Sequence, residues 1–200
     1  LQREAARAHG RVVTLVGNHE AMNMTGDLRY VSAADFAAYA DANSEQVRQQ
    51  TYEANKAQLE AIYRQKDPAM TSEAVKAAWL AATPPGALEH QVAWRPDGPI
   101  GRWGVSNPAV ALIDGNLFLH GGISPAYAHV PLDEINRQVA AALAAQAAAP
   151  GAIINDPAGP LWYRGLVVRE TPPAAADAGA AQAPAPPSVA EQLDVLLAAF

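Results

Sequence analysis

Val12-Val13-Thr14-Leu15-Val16-Gly17-Asn18-His19-Glu20 is a run of strand-forming residues that halts at a glycine and then presents an amide, an imidazole and a carboxylate. Polar heads gathered where a strand ends are a common build for a reaction centre, because the strand is rigid while the turn after it stays accessible. The same arrangement returns at Leu117-Phe118-Leu119, followed by His120-Gly121-Gly122-Ile123-Ser124-Pro125. Upstream, Leu1 to His9 reads as the end of a helix closed by Gly10, leading into a strand over Arg11 to Val16. A helix, loop and strand in succession predict a layered α/β domain.

Downstream, Ser32 and Asp35 have the spacing of a capping box and open a helical stretch that runs to Gln65, broken around Ala42 and Asn43. Thr71 or Ser72 caps a further helix ending near Ala82, where Pro84-Pro85-Gly86 stops it. These helices, residues 33–82, lie between the two strand-end motifs in sequence and are expected to form a helical cap insertion. Ala109 to Ile113 and Leu117 to Leu119, joined at Asp114-Gly115-Asn116, predict a β-hairpin that delivers His120 to a strand end. Pro131 then opens an alanine-rich helix reaching about Gln146. Residues 171–187 are almost all alanine and proline and are expected to be a flexible surface loop. Ser188 and Glu191 form another capping box, with Val189, Leu193, Leu196, Leu197 and Phe200 on one helical face. Both ends therefore read as cut through helices, and the chain is expected to be a fragment of a longer protein.

At 200 residues, half of them hydrophobic and 17% charged, the chain can bury one sizeable core. A net charge of −6 argues against nucleic acid and anionic membrane as partners, since both select clustered lysine and arginine. The chain has no cysteine, so any metal must be held by histidine, carboxylate, amide or water. No apolar run approaches the ~20 residues needed to span a bilayer. A soluble protein of the cytoplasm or periplasm is expected, and its partner is a small molecule or a protein.

Asn18 offers a side-chain oxygen suited to a hard divalent cation, and its neighbour His19 must point to another side of the backbone, so one can ligate while the other transfers a proton. His120 stands at a separate strand end, backed by two glycines that allow close approach to the main chain. Taken singly, His19 reads as a helix cap and His120 as a turn residue; the repeated combination of strand, glycine and polar cluster favours a site. His9, His90 and His129 lack that setting and are expected on the surface or in loops.

Gly17-Asn18-His19-Glu20 and His120-Gly121-Gly122 resemble the third and fourth motifs of the calcineurin-like metallophosphoesterases. Within that superfamily, the segments Met22 to Val31 and Gly159 to Leu166 are similar to those of the Shewanella-like protein phosphatases, so that matched blocks span Val12 to Leu166. The resemblance implies two packed β-sheets flanked by helices, carrying a two-metal phosphomonoesterase with manganese, iron or zinc. In such sites two cations about 3.5–4 Å apart grip the phosphoryl oxygens and activate a water. It further implies that Asn18 and His120 are metal ligands and that His19 protonates the departing alkoxide. Glu20 is placed to orient these neighbours by hydrogen bonds. Arg164 is the candidate phosphate clamp, with an ion pair to Asp156 as the alternative, and Asp27 and Arg29 are expected to pair within their loop.

The family's Gly-Asp-x-His, Gly-Asp-x-x-Asp-Arg and Gly-His-Thr blocks do not occur in this sequence. The chain alone is therefore expected to bind metal weakly and to be inactive, within a parent that is a protein phosphatase. A phosphatase of nucleotides or sugar phosphates, or a catalytically inactive binding module, are the alternative readings.

Overall fold

The computed structural model describes residues 1–167 and 188–198, and the chain divides into two compact units, Leu1–Thr25 with Trp103–Phe200, and Gly26–Arg102. The alanine- and proline-rich stretch 171–187 lies outside the described residues.

In the first unit, α1 (Gln2–Arg7) is followed by the segment 11–17, then by α2 (Asn18–Thr25). The expected strand over Arg11 to Val16 does not form. Among the described residues its one main-chain bond to another segment runs from the Val16 N–H to the Pro108 carbonyl, 3.0 Å. A strand exists only by pairing, and a β-rich composition cannot supply the partner.

The hairpin does form, as β1 (Val110–Ile113) and β2 (Asn116–Leu119), antiparallel with Val110 opposite Leu119 and Ile113 opposite Asn116. Asp114 and Gly115 are the two turn residues, both at positive φ (50° and 75°), the backbone that a two-residue hairpin with right-handed twist requires. The outer edge of β1 is closed by a side chain: Asn136 Oδ1 accepts from the N–H groups of Ala109 and Val110 (2.8 and 3.0 Å), while its Nδ2 donates to the Val110 carbonyl (2.9 Å). The amide thus stands in for a strand's peptide group. Asn136 belongs to α8 (Leu132–Ala144), which buries Ile135, Val139 and Leu143 at every fourth position and packs on β1 and α2. Two packed sheets are thus represented, among the described residues, by this single two-stranded sheet in a helix-rich fold.

The second unit holds α3 (Ala33–Ala37), α4 (Ser44–Lys66), α5 (Ser72–Ala82) and α6 (Ala87–Trp94), while α7 (Pro99–Ser106) runs across the division. The Ser32/Asp35 capping box and the Thr71 cap are present, and the break between α3 and α4 falls over residues 38–43. The expected helical insertion at 33–82 lies inside this unit. Helices α6 and α7 have no counterpart among the expected elements: Pro84-Pro85-Gly86 reads as a stop, and the short segments after it are rich in proline and glycine. Here they serve as boundaries: Gly86, at φ 89°, precedes α6, and Pro99 is the first residue of α7.

His90, expected on the surface or in a loop, is a core residue, 3% exposed and enclosed by Phe36, Tyr39 and Trp94 at ring-centroid distances of 5.3, 4.9 and 6.0 Å. Helix α3 with the turn after it packs on α6 and brings these rings together, and that non-local packing is invisible in a linear pattern. Among the described residues its buried Nδ1 has no hydrogen-bond partner. Burial holds the His90 pKa below the ordinary 6.5, with the Asp35 carboxylate opposing the shift. His90 is therefore neutral in the fold, and as pH falls below 6.5 the unfolded chain takes up the proton first, so stability is lost in that range. Denaturant melts at about pH 7.5 and about pH 5 should show this loss, and His90→Phe should flatten the slope between them.

Candidate functional site

Gly17 occupies the position just before α2, and its N–H donates to Glu20 Oε2 at 2.8 Å while its carbonyl accepts from the Ala21 N–H at 3.3 Å. Glu20, three residues into the turn, thereby satisfies one of the amide groups that a helix start leaves unpaired. Gly17 also meets the second motif. A Cβ on Gly17 would lie 2.9 Å from His120 Nδ1, 3.0 Å from His120 Cγ and 2.9 Å from Glu20 Oε2. The two strand-end motifs, far apart in sequence, therefore touch where Gly17 has no side chain.

His120 directly follows β2. Its pKa is pushed down from 6.5, first by the cost of charging a partly desolvated ring, then by the positive charge of Arg164, with His19 adding to the effect and Glu20 opposing it. The charges of Arg164, Glu20 and His19 thus all act on the His120 ring. Arg164 Nη2 stands 3.4 Å from His120 Nε2, and a guanidinium can only donate, so Nε2 acts as the acceptor. Arg164 Nη1 donates to the Tyr163 carbonyl at 3.1 Å.

The alternative partner for Arg164 is engaged elsewhere. Asp156 Oδ2 accepts from the Tyr127 hydroxyl at 2.9 Å and Oδ1 from the Ala158 N–H at 2.8 Å. Burial, with help from that bond, pushes the Tyr127 pKa up to about 12. Among the described residues no carboxylate lies within ion-pair distance of Arg164, and its guanidinium is left with a neutral imidazole and a carbonyl. Asp27 and Arg29 pair in their loop as expected, through bonds of 2.9 and 2.6 Å from Nε and Nη2 to the two carboxylate oxygens.

Asn18, first residue of α2, is 9% exposed and has no side-chain hydrogen-bond partner among the described residues. His19 is exposed, its carbonyl accepting from Asn23 Nδ2 at 2.9 Å. His9 and His129 are exposed as expected. The glycines after His120 are approached by protein. A Cβ on Gly121 would meet the Pro160 carbonyl at 2.4 Å and Arg164 Nη1 at 3.0 Å, and one on Gly122 would meet Tyr163 Cδ1 at 3.0 Å. They are the floor on which the 160–164 turn rests, so Gly17 and Tyr163, which the sequence reading did not single out as site residues, belong to its framework. The lone signal for either was position, one beside a predicted ligand and one beside a predicted clamp.

Among the described residues no group of three or more histidine, aspartate and glutamate side chains is placed to hold a metal ion. No helix described is long and apolar enough to cross a membrane.

No protein-family profile matches the chain. It is 33% identical over 143 residues to Shewanella-like protein phosphatase 2 of Arabidopsis thaliana, an alignment covering 70% of this chain and 35% of that protein. A solved structure of a cold-active protein tyrosine phosphatase superposes with a TM-score of 0.51 at 26% identity, over 86% of this chain and 40% of that one. The chain belongs to the Shewanella-like phosphatase family. An uncharacterized protein of Schizosaccharomyces pombe is 27% identical over 173 residues, 83% of this chain and 39% of its own length. This Shewanella-like chain thus spans well under half the length of the relatives it matches.

The contact at Gly17 sets a test. Gly17→Ala should lower stability by about 1–3 kcal/mol, because the new methyl meets the base of the His120 ring as well as the end of the Glu20 side chain. The same substitution should displace the His120 ring, read as a shift of its imidazole resonances in a spectrum that is otherwise preserved.

Proposed function

We propose that this chain is part of a metal-dependent phosphomonoester hydrolase acting on phosphoproteins, and that the cluster at Gly17 and His120 is part of its active site. The observation that carries the reading is the Arg164 guanidinium, held beside a neutral His120 and unmatched by any carboxylate among the described residues. Such a group is suited to a dianion: its fork matches two phosphoryl oxygens, and it stabilises charge as the transition state develops. The start of α2 at Asn18 adds the partial positive charge of a helix N-terminus. The names of the Arabidopsis relative and of the superposed structure support the substrate class.

His19, exposed on the first turn of α2, is assigned the proton for the departing alkoxide, which leaves the ester as an alcohol while water adds to phosphorus. Glu20 holds the Gly17 N–H, and through it the close approach of Gly17 to the His120 ring. Asn18 and His120 fit one side of a divalent-cation site: one is a buried amide without a side-chain partner among the described residues, the other an imidazole kept neutral. Two donors fall short of the roughly 4–6 that a divalent ion takes, so the remaining positions fall to water, phosphoryl oxygens and groups outside the described residues. When bound, a pair of Mn, Fe or Zn ions supplies Lewis acidity toward the phosphoryl oxygens and an activated water. The layered two-sheet fold is likewise proposed for the longer polypeptide, and the 200 residues by themselves are proposed to be inactive.

In the full-length polypeptide, His120→Ala should abolish manganese-stimulated hydrolysis of a phosphotyrosine or phosphothreonine peptide. Arg164→Ala should lower kcat/KM by roughly 100-fold. Retained activity in the His120 variant removes that residue from the site, and equal turnover of nucleotides and phosphopeptides contradicts the protein-phosphatase assignment.

A further inference from the structure

Tyr163 has two attachments. Its side chain doubles back over Gly165, where a Cβ would lie 2.3 Å from the hydroxyl oxygen and 2.5 Å from Cζ, and its ring edge lies against Gly122. The hydroxyl donates to Gln192 Oε1 at 2.7 Å, and Gln192 lies in the first turn of α9 (Val189–Leu197), fixed at its start by the Ser188/Glu191 capping box. The Tyr163 carbonyl accepts from Arg164 Nη1 at 3.1 Å, and the guanidinium rests on Gly121 with Nη2 toward His120. One residue therefore grips a distant helix with its side chain and the guanidinium with its backbone.

We propose that Gln192 is a positioning residue: by anchoring the Tyr163 hydroxyl it sets the aim of Arg164, making α9 a support for the anion site. This rests on the reading of Arg164 as a phosphoryl ligand. An arginine has much side-chain freedom to lose when it captures an anion, and a partner that restrains it beforehand raises affinity without touching the ligand. A neutral amide suits the task, since it accepts from the hydroxyl and adds no negative charge near a site meant for a dianion.

The test is calorimetric titration of inorganic phosphate into the 200-residue chain and its variants Gln192→Leu, Tyr163→Phe, the double substitution and Arg164→Ala. Each single change at the Tyr163–Gln192 pair should weaken phosphate binding about fivefold, and the double variant should be no worse than either single one, because one shared bond has been removed. Arg164→Ala should weaken binding by tenfold or more. If Arg164→Ala weakens binding while Gln192→Leu and Tyr163→Phe bind like the parent sequence, the positioning role is wrong and the anion site stands. If the chain binds no phosphate, or binds it equally without Arg164, the anion site fails and the positioning role with it. Should Gln192→Leu not fold, Tyr163→Phe, which removes only one hydroxyl, decides the matter alone.

Discussion

The site depends on a missing side chain. Gly17 lets the turn before α2 close directly onto the His120 ring, and any Cβ there would press on both the ring and the Glu20 carboxylate. That contact brings the Asn18-His19-Glu20 cluster next to a histidine delivered by the hairpin. Glycine is used here for close approach, and the conformational freedom it loses on folding is the cost of that use. On the other side of His120 the same device recurs, with Gly121 and Gly122 carrying Arg164 and Tyr163.

Electrostatics follow from this packing. A histidine partly withdrawn from water and faced by a guanidinium resists protonation, so its Nε2 serves as an acceptor toward Arg164. The guanidinium, denied a carboxylate because Asp156 is bound to Tyr127 and the Ala158 N–H, keeps its capacity for an anion. Had Asp156 turned to Arg164, the charge would have been spent on structure and no anion site would remain.

What could be read from the linear sequence was what local chemistry decides. The Ser32/Asp35 and Ser188/Glu191 capping boxes, the Thr71 cap, the Asp114-Gly115 turn and the start of α8 at Pro131 are all visible because each involves residues within a few positions of one another. The strand expected over Arg11 to Val16 failed because strand formation is a property of pairs, and among the described residues only Val16 found a main-chain partner, Pro108. His90 was misplaced for a similar reason, since two of the three rings that enclose it, Phe36 and Tyr39, come from α3 and the turn after it, distant from His90 in sequence. In the site, the ligand and clamp candidates were recognisable from motif resemblance, whereas the framework of Gly17, Gly121, Gly122 and Tyr163 required coordinates, because a glycine in a sequence does not say what approaches it.

The most direct test of the account is the proximity of Gly17 to His120 in solution. With isotope-labelled protein, nuclear Overhauser spectroscopy should show a strong contact between the Gly17 Hα protons and the His120 ring, and the long-range nitrogen couplings of that ring should report a proton on Nδ1 and none on Nε2. Absence of the Gly17 contact, with both residues resolved and assigned, would contradict the convergence on which the site is built.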